Sequence, residues 1–144
     1  MSARTARASS LDTTRLGSAV AALTRSTRRE ISLPLGASSI AALVTVETHG
    51  PIRLGDLARH EGVTPATLSR IVAVLDDEGY VVRTADADDR RSSWLEISPR
   101  GRALLDDVRR EHARAMARRA ERLTPDQARA LTAALDALET LAAD

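Results

Sequence analysis

The sequence predicts a mainly helical fold carrying one small β-hairpin, with elements in the order α-α-β-α-α-β-β-α-α. Three observations predict it. Apolar residues recur at helical spacing through most of the 144 residues. A β-branched run, "YVVRT" at 80–84, is followed after a polar stretch by "WLEI" at 94–97, which makes a hairpin with a long charged tip. Serine or threonine followed by proline marks helix starts at 64–65, 98–99 and 124–125, because the hydroxyl caps the first turn and proline already holds a helical φ.

The elements follow in order. Residues 11–30 place Leu16, Val20 and Leu23 at helical spacing, with Leu11 and Ala19 near the same face and arginines elsewhere. "LPLG" breaks that helix, and "ASSIAALVTVETHG" reads as a second, apolar enough to be buried and closed by Gly50 and Pro51. A short extended Ile52-Arg53 leads into a third helix stopped by Gly62. Thr64 and Pro65 open the fourth as N-cap and first helical residue, Leu68, Ile71, Val72 and Leu75 form its inward stripe, and Gly79 ends it. After the hairpin, Ser98-Pro99 open a long helix running to about Arg122. Thr124-Pro125 open a single last helix with Leu131, Leu135, Leu138 and Leu141 on one face. Residues 1–10 read as a disordered tail and 11–144 as one domain.

Composition narrows the function. Cysteine is absent, which excludes disulfides, thiolate nucleophiles, Cys-zinc sites and thiol redox sensing. No run approaches the ~20 apolar residues of a membrane helix, and the start "MSARTARASS" lacks the apolar stretch of a secretory signal, so a soluble cytoplasmic protein with no membrane partner is expected. All 21 basic residues are arginine and the net charge is only +1, so any contact with DNA has to come from local placement. His49, His60 and His112 are far apart in sequence and form no i, i+4 pair, the ordinary pattern of isolated surface histidines, and no metal site is expected. No Gly-rich phosphate loop and no supported Ser-His-Asp arrangement appears, so neither cofactor nor enzyme activity is expected.

The third and fourth helices meet the demands of a helix-turn-helix. Ala58 is small where the helices cross, Gly62 takes the turn, and Leu57, Val63, Leu68 and Ile71 fill the wedge between them. Such a unit presents the first turns of its second helix, Pro65, Ala66, Thr67, Ser69 and Arg70, to the major groove. Small residues permit close approach. Arg70 suits a bidentate contact to guanine or a phosphate, and Thr64, Thr67 and Ser69 suit phosphate oxygens near the positive end of the helix dipole. Ser38 and Ser39, at the start of the second helix, are weaker phosphate candidates. The bland reading is a helical corner inside an enzyme, and the hairpin that follows argues against it. At its tip, Arg90 and Arg91 are the cations able to enter a narrow minor groove, and Asp86, Asp88 and Asp89 suit holding those arginines in place by charge-assisted bonds. A solvated charged turn is the alternative for this loop.

With these motifs stated, residues 11–142 resemble the multiple antibiotic resistance regulator (MarR) family in helix order, in the helix-turn-helix, and in "DDRRSSWLEISPRG". That stretch looks like the family's Asp-x-Arg wing signature followed by a strand and a capped helix. Asp89 and Arg91 fall on the signature pair, which casts Asp89 as a brace of the wing. The resemblance implies a winged helix-turn-helix (32–98) flanked by dimerisation helices (11–31 and 99–144), an obligate homodimer, and often a small aromatic or lipophilic anion as antagonist. Leu16, Val20 and Leu23 with Leu131, Leu135, Leu138 and Leu141 are the expected dimerisation residues, since one helix-turn-helix reads too few base pairs for selectivity and a twofold dimer reads two half-sites.

The expected function is therefore a sequence-specific, ligand-responsive repressor acting as a homodimer on a pseudo-palindromic double-stranded DNA operator. The alternative is a winged-helix protein–protein adaptor or architectural module without operator specificity. Residues 54–97 support that alternative, since they hold five arginines against nine acids, a local balance of −4.

Overall fold

The computed structural model describes residues 11–87 and 93–143, which form two compact units: Leu33–Glu111, and the described residues before Leu33 together with those after Glu111. In chain order the elements are α1 (Thr13–Glu30), α2 (Ala37–His49), β1 (Ile52–Arg53), α3 (Leu54–His60), α4 (Pro65–Asp77), β2 (Val81–Ala85), β3 (Ser93–Ile97), α5 (Pro99–Ala120), α6 (Pro125–Ala133) and α7 (Leu135–Ala142). Mainly helical with a small hairpin is thus the observed class. The short extended pair Ile52–Arg53 is a strand of the same sheet, whose order is β1-β3-β2 with both pairings antiparallel.

The core of the unit Leu33–Glu111 is aliphatic. Leu43 of α2, Leu57 of α3, Leu68 and Leu75 of α4, Leu95 of β3 and Leu105 of α5 are all essentially inaccessible to water. They come together because α4 sets Leu68, Val72 and Leu75 on one buried stripe, α2 is apolar enough to bury Ala42, Leu43 and Val46, and β3 alternates, with Ser93, Leu95 and Ile97 inward and Glu96 outward. Ion pairs at the rim hold the helices in place. Arg109 of α5 pairs with Glu47 of α2, and that hydrogen bond holds the guanidinium pKa above its ordinary range. Thr45 of α2 donates to Glu61 Oε1 at 2.6 Å, which fixes the end of α3 against α2.

The start of α5 is built as the Ser-Pro pair requires. Ser98 Oγ accepts from the Gly101 N–H at 3.0 Å and donates to the Gly79 carbonyl at 2.6 Å, while the Ser98 N–H bonds the Tyr80 carbonyl at 3.0 Å. One hydroxyl therefore joins the end of α4 to the beginning of α5 across the root of the hairpin. At Thr124 the cap is reciprocal: Thr124 Oγ1 accepts from the Gln127 N–H and Gln127 Oε1 accepts from the Thr124 N–H.

The chain departs from expectation at its end. The single last helix is two helices, α6 and α7, separated at Ala134, whose N–H bonds the Leu131 carbonyl three residues back at 3.1 Å. That tighter 3₁₀-type turn interrupts the ladder without a glycine or proline, so nothing in residue type marks it. In the second unit, Arg119 of α5 pairs with Glu30 at the end of α1, and Thr27 is buried. Several aliphatic residues of this unit stay in water: Val20, Leu23, Leu131, Leu135 and Leu141 are exposed, and Leu16 and Leu138 are half-buried.

Candidate nucleic-acid interface

The helix-turn-helix is assembled as its residues demand. Ala58 is buried where α3 meets α4, Leu57 and Leu68 are fully buried between them, and Val63 and Ile71 pack at the margin. Gly62 has φ +62°, the left-handed conformation that lets the chain reverse between the helices. The Val63 N–H bonds the Ala58 carbonyl at 3.1 Å and closes the turn.

Thr64 caps α4, accepting from the Thr67 N–H at 3.3 Å, and its hydroxyl also lies 3.0 Å from the Thr67 hydroxyl. With Pro65 in the first turn, this leaves the opening of α4 exposed: Thr64, Pro65, Ala66, Thr67, Ser69 and Arg70 all face solvent. Arg70 forms no ion pair among the described residues, so its guanidinium donors are available. Ser38 is exposed and Ser39 half-buried in the first turn of α2, where the N-cap is Gly36 and no side chain caps the helix.

Charge is distributed more favourably here than the local balance of −4 suggests. No acid lies between Thr64 and Leu75; Asp76, Asp77 and Glu78 stand at the far end of α4, roughly 10 Å along the axis from Arg70 at 1.5 Å per residue. Glu78 lies 3.7 Å from Arg100, Asp56 pairs with Arg59, and Asp86 pairs with Arg53 at 2.8 Å. Much of the acidity is therefore compensated or distant from the helix opening.

The hairpin that follows α4 is regular in its described part, with Val81 opposite Ile97 and Thr84 opposite Trp94, and Arg83 Nε donates to Ser93 Oγ at 2.9 Å across the strands. Asp89, Arg90 and Arg91, the expected brace and minor-groove cations, lie outside the described residues, as do residues 1–10. Sequence reasoning missed the partner at the hairpin root. Asp86, expected to serve the tip arginines, which lie outside the described residues, also pairs with Arg53 of β1, whose guanidinium sits over the Trp94 ring at 4.8 Å. The register Arg53 opposite Trp94 is the signal that would have found it, and it needed β1 to be recognised as a partner of β3. The histidines also differ from expectation, for His49 and His60 stack with centroids 4.6 Å apart.

Two packed helices joined by a tight glycine turn, the second capped and exposed at its start and followed at once by a β-hairpin, define a winged helix-turn-helix of the DNA-binding transcriptional regulator class. Comparison with known proteins agrees. The profile of the MarR family matches residues 35–93. An HTH-type transcriptional regulator of Mycobacterium bovis is 32% identical over 127 residues, 88% of this chain and 89% of the relative. Among solved structures, a transcriptional regulator protein of Pseudomonas aeruginosa is 27% identical with a TM-score of 0.78, covering 92% of this chain and 94% of that one. A MarR family protein of Mycobacterium tuberculosis, solved in complex with p-aminosalicylic acid, is 29% identical with a TM-score of 0.63, covering 86% and 98%. The chain belongs to the MarR family and is an HTH-type transcriptional regulator. These relatives disfavour the adaptor reading. Among the described residues no helix is long and apolar enough to cross a membrane.

Proposed function

We propose that this regulator is a cytoplasmic, ligand-responsive repressor that binds a pseudo-palindromic operator as a homodimer. The observation that carries the DNA-reading part is the opening of α4: a capped helix end, small and hydroxylic residues, and an arginine with no competing carboxylate among the described residues. Thr64, Thr67 and Ser69 donate to phosphates, Pro65 and Ala66 allow close approach, and Arg70 reads a base edge or fixes a phosphate. Ser38 and Ser39 serve as secondary phosphate contacts. Arg90 and Arg91 enter the minor groove with Asp89 as their brace. Residues 32–98 thus read DNA, and 11–31 with 99–144 dimerise through Leu16, Val20, Leu23, Leu131, Leu135, Leu138 and Leu141. The exposure of Val20, Leu23, Leu131, Leu135 and Leu141 in the single chain supports a partner that covers them.

Arg70→Ala is expected to weaken operator binding by about tenfold to a hundredfold, the value of a bidentate base contact, while leaving thermal stability unchanged. Arg91→Ala is expected to act in the same direction, and Asp89→Ala more mildly. Fluorescence anisotropy with labelled operator checks each; wild-type affinity in Arg70→Ala contradicts the placement of α4 in the groove. For the ligand, a lipophilic aromatic carboxylate such as salicylate is expected to lower operator affinity and dilute peroxide to leave it unchanged, since the chain has no cysteine to oxidise. A titration with each agent separately decides this, and release by peroxide alone overturns the sensing model.

A further inference from the structure

The end of α4 is tied to the start of α5 by a joint that lies within the unit Leu33–Glu111. α4 closes in a turn with Gly79 at φ +72°, where the Gly79 N–H bonds the Asp76 carbonyl at 2.9 Å and the Tyr80 N–H bonds the Leu75 carbonyl at 2.8 Å. The turn leaves the Gly79 and Tyr80 carbonyls outside the helical ladder, and Ser98 takes both, the first through its hydroxyl at 2.6 Å and the second through its N–H at 3.0 Å. The same hydroxyl accepts from the Gly101 N–H at 3.0 Å and so caps α5. Gly101 packs so closely on the Tyr80 carbonyl that no Cβ would fit between them. Arg100 adds a second tie, lying 3.7 Å from Glu78 at the C-cap of α4 with its guanidinium 5.2 Å from the centre of the Tyr80 ring.

Ser98 is buried and Arg100 stands at the surface, and neither belongs to the exposed opening of α4. The joint is distant from that opening but governs where it points. Ala66 lies about 18 Å from Glu78 at about 1.5 Å per residue, so a tilt of about 5° at the joint carries the opening about 1.5 Å sideways. A binding surface needs its groups held within about 0.5 Å. α5 runs unbroken from Pro99 to Ala120, so whatever holds α5 in the proposed dimer sets the direction of α4 through this joint.

We propose that Ser98, with Arg100 in support, is a positioning residue that fixes the half-site spacing the protein accepts: it reads no base, but it holds α4 at one angle to α5. The proposal rests on the reading of the protein as a dimer with α4 in the major groove. One added base pair between half-sites moves them about 3.4 Å apart and turns one about 35° relative to the other. A stiff joint rejects that change and a loose one follows it. Binding to a single half-site is independent of the joint, because one α4 docks without reference to a second. A residue serving only the fold would weaken both kinds of DNA alike.

The test measures the full chain by fluorescence anisotropy against three kinds of labelled duplex: an operator selected from a random library, the same operator with its spacer lengthened or shortened by one base pair, and a duplex with one half-site. The wild type is expected to gain about a hundredfold from the second half-site and to lose most of that gain on either spacer change. Ser98→Ala is expected to bind the half-site as the wild type does, to bind the operator about tenfold more weakly, and to show a spacing penalty about tenfold smaller, since a loose joint must be ordered on docking but adapts. Arg100→Gln, at the surface, is expected to move the same ratios in the same direction and less far, and it carries the test if thermal melts show Ser98→Ala unfolded. A wild-type spacing profile in the folded variant, or equal losses on half-site and operator, overturns the proposal while leaving the dimeric reading intact. A wild type that binds operator and half-site equally overturns that reading, and the proposal with it.

Discussion

Gly101→Ala is expected to lower the melting temperature by about 10 °C, although it adds a single methyl group. A Cβ at this position would lie 2.2 Å from the Tyr80 carbonyl oxygen, 2.8 Å from Ile97 Cγ1 and 3.1 Å from the Tyr80 carbonyl carbon. Two of these three atoms are backbone, held by the bond from the Ser98 N–H to the same Tyr80 carbonyl and by the pairing of β2 with β3, so they cannot turn aside as a side chain would. The first turn of α5 must then move away from the hairpin, and the cap at Ser98 moves with it. Overpacking of this kind costs about 3 kcal/mol, which is about 10 °C for a chain of this length. Gly55→Ala, in the first turn of α3 with nothing within 4 Å of the added carbon, is the matched control and is expected to be neutral or slightly stabilising. Thermal melts followed by circular dichroism compare the two, and equal melting temperatures contradict the close approach of α5 to Tyr80.

Leu135→Asp is expected to produce a folded monomer with operator affinity reduced by orders of magnitude. Leu135 is 47% exposed in the single chain, so a carboxylate there costs little in an isolated protomer. In the proposed dimer the same carboxylate is buried without a partner, a cost of several kcal/mol. Dissociation removes one of the two readers, so DNA affinity falls far more than stability does. Leu138→Asp is expected to be harsher, because Leu138 is already half-buried within its own chain. Light scattering gives the mass and circular dichroism the helix content. A wild-type protein that scatters as a monomer contradicts the dimer from the outset.

Most of the helix-turn-helix was legible because every part of it is local. Thr64-Pro65 as cap and first residue, Gly62 in the turn and the stripe Leu68, Val72, Leu75 each occupy neighbouring positions whose physics is written in residue type. The hairpin was legible from its β-branched run and tryptophan strand. The Arg53–Asp86 pair and the His49–His60 stack were not, because each joins residues separated by an intervening element, and a two-residue strand leaves too short a pattern to reveal its partner. The break at Ala134 was hidden for the opposite reason: an alanine looks the same in a continuous helix and in a 3₁₀ turn. The local balance of −4 misled in the same way, since counting charges along the chain cannot see that Asp86, Asp56 and Glu78 have arginine partners.

The central claim is that two copies of this chain read two half-sites with the exposed opening of α4. Selection of binding sites from a random double-stranded DNA library by the full-length protein, followed by competition with non-specific DNA, measures it most directly. The expected result is an inverted repeat with half-site centres about 34–36 Å apart, one helical turn, preferred over non-specific DNA by roughly 10³ or more at physiological salt. An unenriched library, or a selected sequence bound no better than random DNA, contradicts it.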